Sequence, residues 1–261
     1  MSMSPRQRGK VVRGAQYALL IALLLVLVLT ADWGELRRAF FDIDVAKAQF
    51  PEVLTVALVN TLMYTALGFG FALALGLVLA LMRLSPVGPY RWMAIGFIEL
   101  FRGVPALLVF IAFGYGVSFA FQINLDKLVT VMLSLGLVGA AYIAETIRAG
   151  LQAVPKGQLE AARSLGMSRS RAMVSIIIPQ AFRISLPSLT NELIMLTKDS
   201  SLIYLLGLSI SEYELTKFGR DALNENRSLT PILLIGLCYM IITVPLGQLV
   251  RRLEARTAKA R

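Results

Sequence analysis

Apolar residues gather into six long runs, at 17–30, 53–82, 92–121, 128–147, 183–206 and 230–250, separated by charged or turn-forming residues. A helix needs about 20 residues, at about 1.5 Å each, to cross a hydrocarbon core of about 30 Å. The pattern therefore predicts an all-α polytopic membrane protein with about six transmembrane helices. Residues 53–82 carry no charge. As one helix they would reach about 45 Å, so this span must tilt, kink or leave the lipid. The third run contains Glu99, Arg102 and Pro105, and Gly103-Val104-Pro105 should distort its helix because Pro105 has no N–H to donate. Small residues recur in the spans, as in Gly68-Phe69-Gly70 and Gly136-Leu137-Val138-Gly139, and would let helices approach closely.

Composition agrees with this pattern. The chain is 57% hydrophobic and 16% charged, with a mean hydropathy of +0.70, against about 45–50% apolar and 25% charged for soluble domains. With no histidine and one cysteine, Cys238, it has no serine–histidine–aspartate triad, no intrachain disulfide and no predicted metal site. Cys238 lies in an apolar run and reads as a small packing residue. There is no phosphate-cradling G-x-x-x-x-G-K-[ST] sequence. No internal repeat or second soluble domain stands out.

The net charge of +10 has a membrane explanation rather than a nucleic-acid one. With the N-terminus inside, the segments 1–16, 83–91, 148–182 and 251–261 are cytoplasmic and carry 16 Lys and Arg. The opposite segments, 31–52, 122–127 and 207–229, carry 7. The positive-inside rule then selects cytoplasmic N- and C-termini. Arg6, Arg8, Lys10 and Arg13 precede the first run as in a signal peptide, but no small-x-small cleavage site follows, so a retained first span is expected.

The connection between the fourth and fifth spans is the most informative segment. Pro155 and Gly157 predict a turn. A helix is expected over 158–165 with Glu160 in its first turn, stopped by Gly166, and Ser168 should cap a second helix. Leu159, Ala162 and Leu165 are spaced for one face. Ala161 and Ala162 leave a low-profile helix that the groove of another protein could approach. The other reading is a helix that only covers the bundle.

This loop resembles the EAA motif of ABC importer permeases through Glu160-Ala161-Ala162, Gly166 and Ile178-Pro179. Further stretches resemble the polar amino acid uptake family: Phe101-Arg102-Gly103-Val104-Pro105, Ala141-Tyr142-Ile143-Ala144-Glu145, Val154-Pro155-Lys156-Gly157-Gln158 and Lys198-Asp199-Ser200-Ser201-Leu202. The resemblance covers roughly 53–250. Many relatives begin without the first span, and Val104 stands where a small or polar residue is frequent.

The resemblance implies a type I ABC importer permease bundle in a bacterial cytoplasmic (inner) membrane. Residues 1–50 would be a cytoplasmic tail, an extra transmembrane helix and a short external linker. Residues 51–252 would be the transporter domain, with its loop at about 148–180, and 253–261 a basic tail. It implies an ABC ATPase dimer that holds ATP and Mg, no cofactor on this chain, a second identical or related permease subunit, an extracytoplasmic substrate-binding protein and an amino acid substrate. Glu160, Ala161, Ala162 and Gly166 would dock the ATPase.

Charges within spans usually face a bundle interior or an aqueous cavity. Glu99 and Arg102, and Glu145 and Arg148, are each three residues apart and read as structural or coupling pairs. Eleven residues of helix separate Pro187 from Lys198, about 16 Å. That distance puts Lys198 and Asp199 near mid-membrane, where transporter sites often lie. They are candidates to line a substrate path, with Asn191 on a similar basis; bonding between helices or subunits is the other reading. The alternative function is an ion- or proton-coupled secondary transporter of small polar solutes, with Glu145, Glu192 or Asp199 carrying the proton.

Overall fold

The computed structural model describes residues 5–259, so 1–4 and 260–261 of the two expected tails lie outside the described residues. Among the described residues all regular structure is helical. Helix α1 (Pro5–Thr30) contains the first span, and its most apolar stretch is not buried against the rest of the chain. The segment expected as a plain linker holds two short helices, α2 (Trp33–Phe40) and α3 (Ile43–Ala48). Aspartates start both. Asp32 accepts the Glu35 N–H at 3.0 Å, and Asp42 accepts those of Asp44 and Val45 at 3.0 and 3.2 Å. These bonds satisfy donors that a helix start leaves free.

One wider helical turn (Val53–Leu58) leads into α4 (Val59–Arg83). The third run is not one straight span. It is α5 (Gly88–Gly103) followed by α6 (Ala106–Ile111) and α7 (Val117–Phe121), and the two halves meet at 104°. Val104 and Pro105 are extended between them. The proline removes a donor and disfavours helical backbone at the residue before it.

Next come α8 (Lys127–Ala153), α9 (Lys156–Ser164), α10 (Arg169–Ala172), α11 (Ile178–Asp199), α12 (Leu215–Asn226) and α13 (Thr230–Lys259). The fifth span is longer than its sequence run. It is helical from Arg169 to Leu206, with Pro187 buried inside α11.

At the centre α4 and α8 pack in parallel. Gly68, Ala72 and Gly76, four residues apart, meet Leu135, Gly139 and Ile143. A Cβ on Gly68 would stand 2.6 Å from that of Leu135, and one on Gly76 2.8 Å from Cγ2 of Ile143. Such contact is useful in lipid, where dispersion replaces the hydrophobic drive between helices. Tyr64, Ile98, Phe110 and Leu196 complete this core. Cys238 packs in a second cluster with Val53, Ala57, Leu215 and Ile235.

Polar contacts sort the connections to two ends. At one end Lys127 pairs with Glu212 at 2.7 Å, Asn60 donates to the carbonyls of Ser211 and Tyr213, and the Leu229 N–H donates to the Ala39 carbonyl. At the other, Arg83 pairs with Glu145. Six alternating spans require this grouping.

Candidate functional site

The loop between α8 and α11 forms a helical hairpin. Pro155 lacks the N–H that an interior helix position needs, and α9 begins directly after it at Lys156. This start is two residues earlier than expected and moves Glu160 beyond the first turn. Gly166 adopts φ +82°, a conformation that favours glycine. The chain turns back there, with the Gly166 N–H on the Arg163 carbonyl and the Met167 N–H on the Ala162 carbonyl. Ser168 then caps α10 through the Arg171 N–H at 3.3 Å.

An apolar cluster of Val154, Ile177 and Ala181, lined by Leu151, Leu159, Met173 and Ile184, fixes the hairpin to the ends of α8 and α11. The expected shared face is split. Leu159 and Ala162 turn inward, Ala162 being 3% exposed, whereas Leu165 is 84% exposed. Glu160, Ala161 and Gly166 are also exposed. The outward surface therefore combines an acid, two small residues and one large apolar side chain.

Just above the hairpin, Glu145 binds two arginines. Arg148 Nη2 lies 2.8 Å from Glu145 Oε2, and Arg83 pairs with Oε1. Arg148 also donates to Gln152 at 2.6 Å. Glu145–Arg148 is thus a pair, with Arg83 from α4 as a third member. The sequence marks Arg83 as an inner-side charge and as the start of a stretch, Arg83-Leu84-Ser85, that resembles the family, but gives it no partner. Glu99 and Arg102 form no ion pair among the described residues. Glu99 is exposed, and the Arg102 guanidinium lies 5.5 Å from the centre of the Tyr142 ring.

A cavity of about 570 Å³ opens where α5 breaks. The corner Arg102–Ala106 forms one wall, Val138, Gly139 and Tyr142 of α8 a second, and Glu192, Met195, Leu196 and Asp199 of α11 a third. Gly139 leaves room: its Cβ would meet Leu196 Cδ1 at 2.9 Å. Val104, the unusual residue of its motif, lines the same wall. One guanidinium and two carboxyl groups thus converge in an otherwise apolar space, at the kind of helix break where transporters bind polar solutes.

Of the residues expected to line a path, Asp199 is in this lining, whereas Asn191 and Lys198 lie on exposed α11 surface outside it. Glu192 and Tyr142 were not read as lining residues. Glu192 precedes Asp199 by seven residues, two helical turns, and that spacing was the available signal.

Comparisons place these features among known proteins. Residues 72–259 match the family described as binding-protein-dependent transport system inner membrane component. The chain is 33% identical over 204 residues to the probable glutamine ABC transporter permease protein GlnM of Bacillus subtilis, covering 77% of this chain and 91% of that protein. It is 32% identical over 215 residues to the arginine transport system permease protein ArtQ of the same organism, covering 82% and 96%. A solved amino acid ABC transporter with histidines superposes with a TM-score of 0.74 at 32% identity, over 82% of this chain and 98% of that one.

Proposed function

The chain belongs to the family of binding-protein-dependent transport system inner membrane components, and from that membership we propose how its hairpin and cavity divide the work. It is a permease subunit of an amino acid ABC importer, a multi-pass inner-membrane protein and a transport component rather than an enzyme. Its partners are a separate ATPase and a substrate-binding protein.

In our reading, both termini and the hairpin face the cytoplasm, in accord with the excess of Lys and Arg on that side. Two permease subunits, identical or related, enclose the pore. The ATPase dimer, loaded with ATP and Mg, grips Glu160, Ala161 and Gly166 of the expected set; Ala162, expected with them, is buried on the hairpin's inner side, and exposed Leu165 takes its place. The observation that carries this reading is the hairpin's construction. Its inner side is fixed to α8 and α11 by the Val154–Ile177–Ala181 cluster, while its outer side is uncovered. A displacement of α9 therefore reaches the two helices that carry Tyr142, Glu192 and Asp199. A loosely tethered loop would absorb the same displacement.

The cavity is the proposed station of the substrate. Arg102 is a partner for an amino acid carboxylate, and Glu192 and Asp199 for an ammonium group. The named relatives differ in the amino acid they carry, glutamine or arginine, so the substrate side chain is left open.

Copurification from membranes tests the docking. Glu160→Lys should insert normally and lose the ATPase, whereas a full complement of ATPase would reject this surface. Uptake driven by a proton gradient, with no ATPase present, would instead favour the secondary transporter.

A further inference from the structure

Residues 33–48 precede the region matched by the family and contribute to neither the hairpin nor the cavity. We infer that α2 and α3 form a strap that lies in the bilayer surface and binds lipid there through Trp33, Leu36, Phe41 and Ile43.

Continuity with α1 is the first argument. Gly9–Thr30 is long and apolar enough to cross the membrane, and its window is unburied, so its surroundings are lipid. The helix ends at Thr30, and Asp32 starts α2 two residues later. Trp33 folds back, its indole N–H donating to the Val28 carbonyl at 2.8 Å. That bond ties the ring to the last turn of a lipid-facing helix. An indole prefers this boundary because its body is apolar and its N–H polar.

The second argument is the position of the strap's other side. The Ala39 carbonyl accepts the Leu229 N–H at 2.7 Å and the Ser228 hydroxyl at 3.1 Å, and the Asp42 N–H donates to the Thr230 hydroxyl at 3.0 Å. Thr230 begins α13, itself long and apolar enough to span. The strap is therefore held at the level where two spans emerge on the same side.

The pattern of exposure is the third. Trp33, Leu36 and Phe40 are spaced for one face of α2, opposite Gly34 and Arg38. Trp33, Phe41 and Ile43 are 57%, 66% and 61% exposed, close to the end of a lipid-embedded helix. Exposed Arg37 fits the headgroup phosphates, while Arg38 pairs with Glu35 at 3.3 Å on the polar side of α2. A helix with an apolar stripe and basic residues lies in such an interface rather than across it.

The chain has two tryptophans, so the difference in emission between Trp92→Phe and Trp33→Phe/Trp92→Phe transporters reports on Trp33, whatever tryptophans the partner subunits carry. The full transporter is reconstituted in nanodiscs with phosphatidylcholine brominated near the headgroup or near the chain ends. We expect blue-shifted emission, quenched several-fold more by the shallow bromines. Independently, a spin label on Phe41→Cys should be shielded from an aqueous nickel chelate and accessible to oxygen. Water-like, unquenched Trp33 emission with an aqueous Phe41 label would overturn the inference. Shielding that appears only when the binding protein is added would also overturn it, and assign the strap to that protein.

Discussion

Asp199 and Lys198 are neighbours in sequence, yet they face different surroundings: Asp199 lines the cavity and Lys198 lies outside it. A helix turns about 100° per residue, so adjacency does not make a shared site. The sequence placed charge at a plausible depth, while helical spacing selects Glu192 as the companion of Asp199. If these acids hold the substrate ammonium, Asp199→Asn or Glu192→Gln should lower uptake about tenfold or more, since a hydrogen bond to a charged group contributes about 1.5–3 kcal/mol. ATPase copurification should be unchanged. Uptake in proteoliposomes checks this, and unchanged uptake in both variants would remove the cavity from the path.

Glu214 and Glu212, at the other end of the molecule, give opposite pH effects. Burial raises the Glu214 carboxyl from 4.5 to about 7, although the Thr216 and Lys217 N–H groups and the Tyr239 hydroxyl pull it down. The folded chain holds that proton more tightly than the unfolded one. Its stabilising contribution is thus full below about pH 4.5, declines as pH rises to about 7, and is flat above. Lys127 and then Ser209 lower Glu212 to about 2, so its contribution is present above 4.5 and lost as pH falls toward 2. Thermal unfolding between pH 4.5 and 7 should show the decline in the native chain and a flatter profile in Glu214→Gln. Parallel profiles would contradict it.

At the scale of elements, the hairpin was the most legible part, because Pro155, Gly166 and Ser168 mark its ends through local backbone chemistry. The inward turn of Ala162 and the outward turn of Leu165 were not legible, since they depend on where Val154, Ile177 and Ala181 sit. Pro105 announced a distortion of the third span, but not its 104° bend, which seats α6 against both α8 and the distant Ser200–Leu206 segment. The expected linker contains cap residues, Asp32 and Asp42, that start two short helices, and the linker reading made no use of them. Small residues in α4 and α8 were read as packing positions, and the structure supplies their partners. Gly68→Leu should force α4 from Leu135 and cost about 1–3 kcal/mol, seen as a lower melting temperature in detergent. A melting temperature equal to the native one would argue against that close contact.

For the whole molecule, the spans carry the hairpin at one end, the strap and the Glu212–Glu214 loop at the other, and the cavity between. The six apolar runs, alternating in direction, made this arrangement readable. Which helices converge on the cavity was not, because that depends on contacts between distant segments. In our account α8 and α11 join hairpin to cavity, so stiffness at Gly166 should matter to transport far more than to folding. A β-branched residue at its positive φ costs about 1–3 kcal/mol of strain and reshapes the turn. The decisive measurement is ATP hydrolysis and amino acid uptake by the reconstituted importer, with and without loaded binding protein, for the native chain and Gly166→Val. The account predicts that the native complex responds to the binding protein, and that the variant, present in the membrane at the same level, neither hydrolyses faster nor accumulates substrate. Native stimulation and uptake in Gly166→Val would contradict it.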